Sequence, residues 1–458
     1  MKNSSYRSHK RNFWVVVTVF SLIFGVSTLP SGNGTAQTAG ADVTTLAGDG
    51  TAGFADGQGT SAKFNKPIGI AVDNAGNVYA ADSINHRIRK IDSTGRVTTL
   101  AGTGIVGRTN GPGASAKFIN PFDVAIDNTG NVYVADGTHL IRKIDSKGNV
   151  STLAGTEDDL FVGGFADGKN SSAKFNMPQG ITVDNTGNVY VSDTFNNRIR
   201  KIDSKGNVTT FAGDGTAGFA DGQRTSAKFN APCGIAVDNA GNIYVADRGN
   251  IRIRKIDSTG NVTTFAGDGT KGFADGQRTS AKFDNILGIA ADNAGNLYAT
   301  DASRIRKIDS RGNVTTIAGD GTAGFADGQR ASARFNAPWG IAVDNAGNIY
   351  VAEYGNNRIR KINQAASAKG AGVGDKDDQV KLGEFIGTVG GFEGSNIIVN
   401  GKDTIGRQAP IGRTLVVDAN GQYIYLQSTF PMQTVVKCKV TSGDRTQIKK
   451  GMKVYLKP

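Results

Sequence analysis

A short block, V-T-T-L-A-G at Val43–Gly48, occurs six times along the chain with small changes. Three other blocks also occur six times, and their first copies lie at Gly69–Asp73, Asn77–Asp82 and Arg87–Asp92. The order of the blocks is constant, but a V-T-T block precedes the first complete unit and none follows the last unit, which ends at Asn363. A row of units that begins with one extra strand and ends one strand short is complete only when its ends meet. The sequence therefore predicts a closed ring.

Each unit contains four short runs rich in Val, Ile, Tyr and Thr, and clusters of Gly, Asn and Asp separate these runs. Such runs between turn residues are typical of β-strands. The acid that ends the second run recurs every 52 to 57 residues, close to the period of known propeller repeats. We therefore predict an all-β protein in which residues 43–363 form a six-bladed β-propeller of four-stranded blades, with the N-terminal strand closing the last blade. We name the strands of each blade a, b, c and d, in the order of the runs G-I-A-V-D, N-V-Y-V-A-D, R-I-R-K-I-D and V-T-T-L-A-G.

The connections between the predicted strands lie on two faces, because adjacent strands in a blade run antiparallel. The short a–b and c–d turns share one face, and the b–c and d–a loops share the other, which we name the loop face. The first d–a loop, Asp49–Lys66, has about 18 residues and exceeds the usual length of an unstructured connection. Differences between the copies are also concentrated on the loop face. We therefore predict that this face binds a protein, peptide or glycan partner.

The candidate ligand-binding residues are side chains on the loop face that are not repeated between copies. They occupy the b–c loops and the position after the Pro that opens each blade, a place taken by Ile286 in blade 5. Aromatic rings at such positions can stack on a sugar or hold a peptide, and loop packing is the alternative role for the same rings. The candidates are Phe122, Gln179, Trp339, Phe195, Tyr354, His86 and His139.

An acid and an arginine flank each b–c loop. A ring of carboxylates can bind a cation, whereas an ion pair that every blade needs has a structural role. Because the pair is repeated in all six copies, we predict the structural role. The pairs are Asp82 with Arg89, Asp136 with Arg142, Asp193 with Arg200, Asp247 with Arg254, Asp301 with Arg306, and Glu353 with Arg360.

The repeat has a long pattern that resembles the NHL repeat family. Its parts are D-G-T-A-G-F-A-D-G-Q, A-K-F-N-x-P-x-G-I-A-V-D-N-A-G-N-I-Y-V-A-D and N-x-R-I-R-K-I-D-x-x-G-N-V-T-T-x-A-G. The resemblance covers residues 43–363 and implies a six-bladed propeller that holds ligands or partners on one face. It implies no single activity, since the family includes exported sensor and adhesion domains, peptide-amidating lyases and RNA-binding modules.

The enzymes of this family imply a metal held near the propeller axis by His, or by Glu, Asn and Asp. Only His86 and His139 lie in the repeats, and we find neither a G-x-S-x-G motif nor a distinctive carboxylate pair. We therefore predict a non-enzymatic protein with no catalytic residue, metal site or cofactor, and the alternative is a metal-dependent lyase or lactone hydrolase. Asp-Gly motifs such as Gly48-Asp49-Gly50 suggest Ca²⁺, but their spacing matches neither an EF-hand nor a G-G-x-G-x-D repeat.

The first 39 residues have the order of a secretory signal. A basic segment that ends at Arg11 precedes an uncharged, mostly apolar run, Phe13–Leu29, and small residues follow it, with Ala36 and Ala39 as cleavage points. The apolar run is at the short limit for a spanning helix. We predict a signal peptide or signal anchor over residues 1–39 and a secreted, periplasmic or cell-surface location. Membrane contact is expected only through an anchor formed by residues 13–29.

The formal net charge of +12 is concentrated at the two ends of the chain, with about +4 before residue 41 and about +5 after residue 363. The repeats are therefore nearly neutral, and no nucleic-acid partner is expected. Residues 364–379 are rich in Ala, Gly, Lys and Asp and are predicted to be a linker. Residues 380–458 are predicted to form a small β domain with a hairpin turn at Asn420-Gly421. Its predicted strands are Phe385–Val389, Asn396–Val399, Thr414–Val417, Tyr423–Gln427, Thr434–Val440 and Met452–Leu456.

Overall fold

The protein is described here from a computed structural model. The structure describes residues 42–156 and 163–364, together with the backbone of six strands between residues 385 and 456. The chain divides into two compact units, with the division in the sequence between Ser367 and Ala368. The predicted signal or anchor at residues 1–39 lies outside the described residues, as does the predicted linker beyond Gln364.

Six antiparallel sheets, blades 1 to 6, form the first unit. Strand a spans Pro67–Val72, Asp123–Ile126, Pro178–Val183, Pro232–Val237, Ile286–Ala291 and Pro338–Val343. Strand b spans Val78–Asp82, Val132–Asp136, Val189–Asp193, Ile243–Asp247, Leu297–Asp301 and Ile349–Glu353. Strand c spans Arg87–Ile91, Leu140–Ile144, Arg198–Ile202, Arg252–Ile256, Arg304–Ile308 and Arg358–Ile362. Strand d of blades 1 to 5 spans Arg96–Ala101, Asn149–Ala154, Asn207–Ala212, Asn261–Ala266 and Asn313–Ala318.

The N-terminal strand Val43–Ala47 is strand d of blade 6, which confirms the predicted closure of the ring. It runs antiparallel to Arg358–Ile362, with Val43 opposite Ile362. The backbone amide of Asn363 also donates to the carbonyl of Asp42 at 2.8 Å. Blade 6 is therefore assembled from both ends of the repeated region, and the outer edge of its strand c is covered.

Blades 1 to 5 have a fifth, two-residue strand at their outer edge, so the prediction of four strands per blade is wrong for these five sheets. Each added strand comes from the d–a loop that precedes its blade, and it pairs with strand d of that same blade. In blade 6, Gly328 forms the equivalent bridge with Val43. The added strands are Gly57–Gln58, Gly111–Pro112, Gly168–Lys169, Gly222–Gln223 and Gly276–Gln277. They cover the backbone edge that strand d would otherwise expose.

The d–a and b–c loops also contain short 3₁₀ helices, and the described residues include no α-helix. The d–a loops contain Gly59–Ser61, Asn170–Ser172, Arg224–Ser226 and Arg278–Ser280. The b–c loops contain Ser83–Asn85, Thr194–Asn196 and Arg248–Asn250. None of the helices among the described residues has the length and apolar character needed to cross a membrane.

The hydrophobic core lies between adjacent blades. In one cluster, the fully buried Phe64 of the d–a loop packs with Val78 of blade 1 and with Tyr350 and Ile359 of blade 6. Corresponding clusters join the other neighbouring blades. Both faces of each sheet are therefore apolar, which explains why strands a and b show no simple alternation of polar and apolar residues.

The second unit is a small closed β-barrel of six strands. The strands are Phe385–Glu393, Asn396–Gly401, Thr414–Ala419, Gln422–Pro431, Val435–Ser442 and Lys453–Leu456. The first strand pairs with the second and the sixth, and the sixth also pairs with the third, so the sheet closes on itself. Ala419 lies opposite Gln422, the pairing that the predicted Asn-Gly turn requires.

Candidate functional site

The six copies of strand a surround an axial channel with a volume of about 260 Å³. The third position of strand a is glycine in five blades, and its role is steric. A Cβ atom on Gly180 would overlap the carbonyl oxygen of Cys233, and one on Gly288 would overlap that of Trp339. Glycine therefore allows the inner strands of adjacent blades to approach each other closely.

The residue before this position differs in every blade, and five of the six residues line the channel. Cys233 and Leu287 are buried, whereas Phe122, Gln179 and Trp339 are partly exposed. The structure thus brings together the three predicted residues Phe122, Gln179 and Trp339 in one cavity. They belong to blades 2, 3 and 6, so the ring arranges residues of separate repeats around one cavity.

Trp339 belongs to a group of three side chains at the junction of blades 6 and 1. Its ring centroid lies 5.7 Å from that of Tyr354, and the planes are tilted by 46°. The Nζ atom of Lys66 lies 4.9 Å from the centroid of the Tyr354 ring, within the range of a cation–π contact. Trp339 is therefore held against a neighbour but keeps part of its ring accessible.

The other predicted candidates lie on the loop face but not in the channel wall. Phe195, in the b–c loop of blade 3, is 58 % exposed. His86 Nδ1 accepts the backbone amide of Asn120 in the next blade at 3.1 Å, and His139 Nδ1 accepts that of Met177 at 2.9 Å. Burial, together with the charge of Arg87, lowers the pKa of His86. Both histidines thus connect adjacent blades.

Asparagine makes the same connection elsewhere in the ring. The Oδ1 atoms of Asn197 and Asn357 each accept a backbone amide of the next blade at 2.9 Å. These residues and both histidines have positive φ angles, a conformation that asparagine tolerates well. The comparison indicates a structural role for His86 and His139. The sequence alone did not reveal this role.

The repeated acid and arginine form an ion pair in every blade, with N–O distances between 2.6 and 3.1 Å. The arginine side chains are fully buried, as are the acids, of which the most accessible is 1 % exposed. In blade 3, Arg200 also donates to the carbonyl oxygens of Lys174 and Ala166 and to the carboxylate of Asp167. All three acceptors belong to the d–a loop, so the pair attaches this long loop to the sheet.

Asp123 is a functional candidate that the sequence analysis missed. It is the first residue of the shorter strand a of blade 2 and aligns with the glycine at the third position of strand a in the other five blades. Its Oδ1 atom accepts the amide of Val124 at 2.9 Å, and its Oδ2 atom accepts the amide of Ile181 in blade 3 at 3.0 Å. Burial raises the pKa of this carboxyl group to about 7, and the two amides only partly oppose the shift. The detectable signal was the change from P-x-G-I-A-V-D to P-F-D-V-A-I-D.

Replacement of Asp123 by Asn is expected to stabilise the propeller at pH 8. The folded pKa of about 7 lies above the usual value of about 3.9, so ionisation of this carboxyl opposes folding increasingly between pH 4 and 7 and fully above pH 7. We expect a gain of roughly 1–3 kcal/mol in unfolding free energy at pH 8 that shrinks as the pH approaches 4. Denaturant unfolding at both pH values tests this. A loss of stability at every pH would show that the contact with Ile181 dominates.

Among the described residues, no group of three or more His, Cys, Asp and Glu side chains is arranged to hold a metal ion. The Asp-Gly motif of the first d–a loop has another use. Asp49 Oδ1 accepts the amide and the hydroxyl of Thr51 at 2.8 and 2.7 Å, which is the geometry of a local turn. The carboxylate of Asp49 also lies 3.3 Å from Lys63 Nζ.

Comparison with known proteins gives matches to two family models. The model of the NHL repeat matches residues 64–91, 175–202, 229–256 and 335–362, one segment each in blades 1, 3, 4 and 6. The model of the Teneurin NHL domain matches residues 107–166, which include blade 2.

Curated relatives resemble the propeller over part of their length. The chain is 31 % identical over 288 residues to Protein SUPPRESSOR OF QUENCHING 1, chloroplastic, of Arabidopsis thaliana, a match that covers 58 % of this chain and 27 % of that protein. It is 30 % identical over 295 residues to NHL repeat-containing protein 2 of Gallus gallus, which covers 45 % of this chain and 40 % of that protein. The chain therefore spans less than half the length of these relatives.

A solved structure supports the fold. A structural genomics protein of unknown function from Bacteroides thetaiotaomicron has a TM-score of 0.54 and 24 % identity, and the match covers 70 % of this chain and 74 % of that chain. At this level of identity the likeness concerns the fold alone. The matched segments in blades 1, 3, 4 and 6 and the ring of six blades show that the chain contains NHL repeats and forms a six-bladed propeller.

Proposed function

We propose that this protein is an exported, non-enzymatic binding or scaffold protein that holds a protein, peptide or glycan partner on the loop face of its propeller. The main support is the row of six residues that directly precede the glycine of strand a, or Asp123 in blade 2. The residue at this position differs in each of the six repeats, and five of the six side chains line one channel. A difference between copies at equivalent positions of a repeated scaffold is how a binding surface acquires specificity.

The chemistry of the channel mouth suits recognition by contact. The rings of Trp339 and Phe122 lie in the channel wall, and the ring of Tyr354 packs against that of Trp339. Aromatic side chains supply a large contact area with little loss of conformational entropy. Lys66, against the Tyr354 ring, adds a positive charge beside this apolar surface.

Export is part of the proposal and depends on the first 39 residues. Their basic segment, the apolar run Phe13–Leu29 and the small residues after it have the order of a secretory signal. The loop face would then meet its partner outside the cytoplasm. The C-terminal barrel would attach or orient the propeller.

Replacement of Trp339 by Ala is expected to weaken partner binding by about tenfold or more, because central aromatic side chains dominate the energy of many interfaces. The wild-type chain is first screened on glycan and peptide arrays, and the affinity for each positive probe is then measured for both chains. Since Trp339 is partly exposed, we expect the variant to fold, which circular dichroism and thermal melting check.

Phe219→Ala is the matched control, because Phe219 is a 45 % exposed aromatic of a d–a loop that recurs in four other blades and stacks on Arg252. It should leave binding unchanged. Equal affinity of the wild type and of Trp339→Ala for every probe would contradict the proposed role of the channel mouth. Equal losses in both variants would indicate a general effect of exposed aromatic rings.

A further inference from the structure

The axial channel contains hydrogen-bond acceptors that lack a donor. The Asp123 carboxylate has about four acceptor positions and uses two of them, for the amides of Val124 and Ile181. The Oε1 atom of Gln179 is buried in the same channel wall and has no hydrogen-bond partner. A buried acceptor without a partner costs free energy, so both groups favour a ligand that donates.

The residues that form the channel wall carry no positive charge, and Arg248, in the b–c loop of blade 4, is a cation outside the wall whose charge acts on the Cys233 thiol. The described residues that line it include no Lys, Arg or His, and Cys233 is the other titratable side chain among them. Burial raises the pKa of the Cys233 thiol to about 11, and its Sγ atom lies 3.2 Å from the carbonyl oxygen of Leu287. Cys233 is therefore a neutral thiol at physiological pH, and Asp123 is the single charge that the wall presents.

The fold does not require an acid at this position. Five blades place glycine there, and their inner strands contact each other through the backbone. In blade 2, strand a is shorter than in the other blades, and its pairing with strand b has no bulge, whereas the pairing in the other five blades is irregular. Asp123 thus stands where the local backbone of blade 2 differs from that of the other blades, and it adds a half-buried carboxyl group to the channel wall.

We propose that the axial channel binds a small organic ammonium cation, with the Asp123 carboxylate as its anionic partner and Gln179 Oε1 as a further acceptor. This inference deepens the proposed function, because it names the chemical class that the same channel mouth recognises. A primary ammonium group has three N–H donors, and the carboxylate and the amide oxygen together offer about four unused acceptor positions, enough for all three.

Size and surface chemistry agree with this class of ligand. A volume of about 260 Å³ is slightly below the range of about 300–1,000 Å³ typical of sites for drug-sized ligands, and it suits a small molecule or a single side chain. The rings of Phe122 and Trp339 line the same channel, and aromatic faces attract organic cations. Calcium ions in proteins take six to eight oxygen ligands, more than the side chains of this channel supply.

The test is calorimetric titration of the full chain with n-butylammonium chloride, and with butan-1-ol as the neutral analogue of similar size. At pH 8.5 we expect the wild type to bind the amine and not the alcohol. Asp123→Gly restores the residue of the other five blades and should weaken amine binding by about tenfold or more, since it removes a charge-assisted hydrogen bond. Asp123→Asn, which keeps the shape of the side chain, should do the same.

The titration is repeated at pH 5.5, where the Asp123 carboxyl is mostly protonated because its pKa is about 7. Affinity of the wild type should then approach that of Asp123→Asn. Amine binding that is absent in the wild type, unchanged in Asp123→Gly, or independent of pH would overturn the inference. If Asp123→Gly melts well below the wild type, Asp123→Asn decides the binding question.

The result separates this inference from the proposed function. Array probes that bind in a Trp339-dependent manner, without Asp123-dependent amine binding, would support the loop face as a partner site and reject the ammonium site. Asp123-dependent amine binding without any Trp339-dependent probe would support the ammonium site and reject the larger partner.

Discussion

A chain that begins at Gly50 is expected to melt about 10 °C or more below a chain that begins at Gly40. The first chain lacks the closing strand Val43–Ala47, and the second retains it. Without this strand, the outer edge of Arg358–Ile362 in blade 6 is open, and the ring is no longer held at that point by backbone pairing.

The expected size of this effect follows from the contacts of the strand. Val43 is fully buried in the core cluster between blades 5 and 6, and Ala47 is fully buried in the cluster between blades 6 and 1. Burial of a valine side chain stabilises by about 1.5–3 kcal/mol, and each backbone hydrogen bond contributes about 1 kcal/mol net. The strand therefore contributes several kcal/mol, and about 1 kcal/mol shifts the melting temperature by 2–4 °C in a large domain.

Thermal melting of the two purified chains measures the difference directly. A synthetic peptide of residues 42–50, added to the shorter chain, should recover part of the lost stability, because it can pair with the open edge. Equal melting temperatures for the chains that begin at Gly40 and Gly50 would refute the contribution of closure. A peptide without effect would show that the strand stabilises the ring only when it is covalently attached to the chain.

The architecture was predictable because the repeated units are regular. The V-T-T block at Val43 is one strand displaced to the other end of a periodic pattern, and counting the units sufficed to predict the closure that the structure confirms. The fifth strands were not predictable in the same way. Pairs such as Gly57–Gln58 have low β propensity, and only the exposed edge of strand d places them in a sheet.

The site was predictable only in part. Variation between copies identified Phe122, Gln179 and Trp339, which line one channel in the structure. It also identified His86, although Asn197 makes the equivalent contact between blades, because variation alone does not distinguish two residues that make the same hydrogen bond. Asp123 was missed because it replaces a glycine that is constant in the other five blades, whereas the candidates were taken from the variable residues beside that glycine.

Replacement of Asp193 by Ala is expected to lower the free energy of unfolding by about 3–5 kcal/mol, the usual cost of removing one partner of a buried ion pair. Arg200 Nη1, which lies 2.8 Å from Asp193 Oδ2, would keep only the carbonyl oxygen of Lys174. The backbone amide of Asn176 and the side-chain amide of Asn196 would each lose a carboxylate oxygen of Asp193 as an acceptor. Burial raises the pKa of Asp193 to about 6, so unfolding is measured at pH 8, where the acid is ionised.

Blade 6 supplies the control for this experiment. There Glu353 takes the place of the aspartate and makes the same contacts, with Arg360 at 2.9 Å and with the amide of Asn336 at 3.0 Å. Asp193→Glu should therefore cost much less stability than Asp193→Ala. A loss of similar size in both variants would show that the environment of blade 3 tolerates only the shorter acid.

The repeat also distinguishes a structural role from a ligand-binding role for these acids. Asp82 and Asp247 have the same partners in their own blades, so their replacement by Ala should lower stability by a similar amount. None of the three replacements should change the affinity for a probe whose binding depends on Trp339, because no side chain of the ion pairs lines the channel. An affinity that falls while the melting temperature stays constant would instead assign the acid of that blade to the binding site.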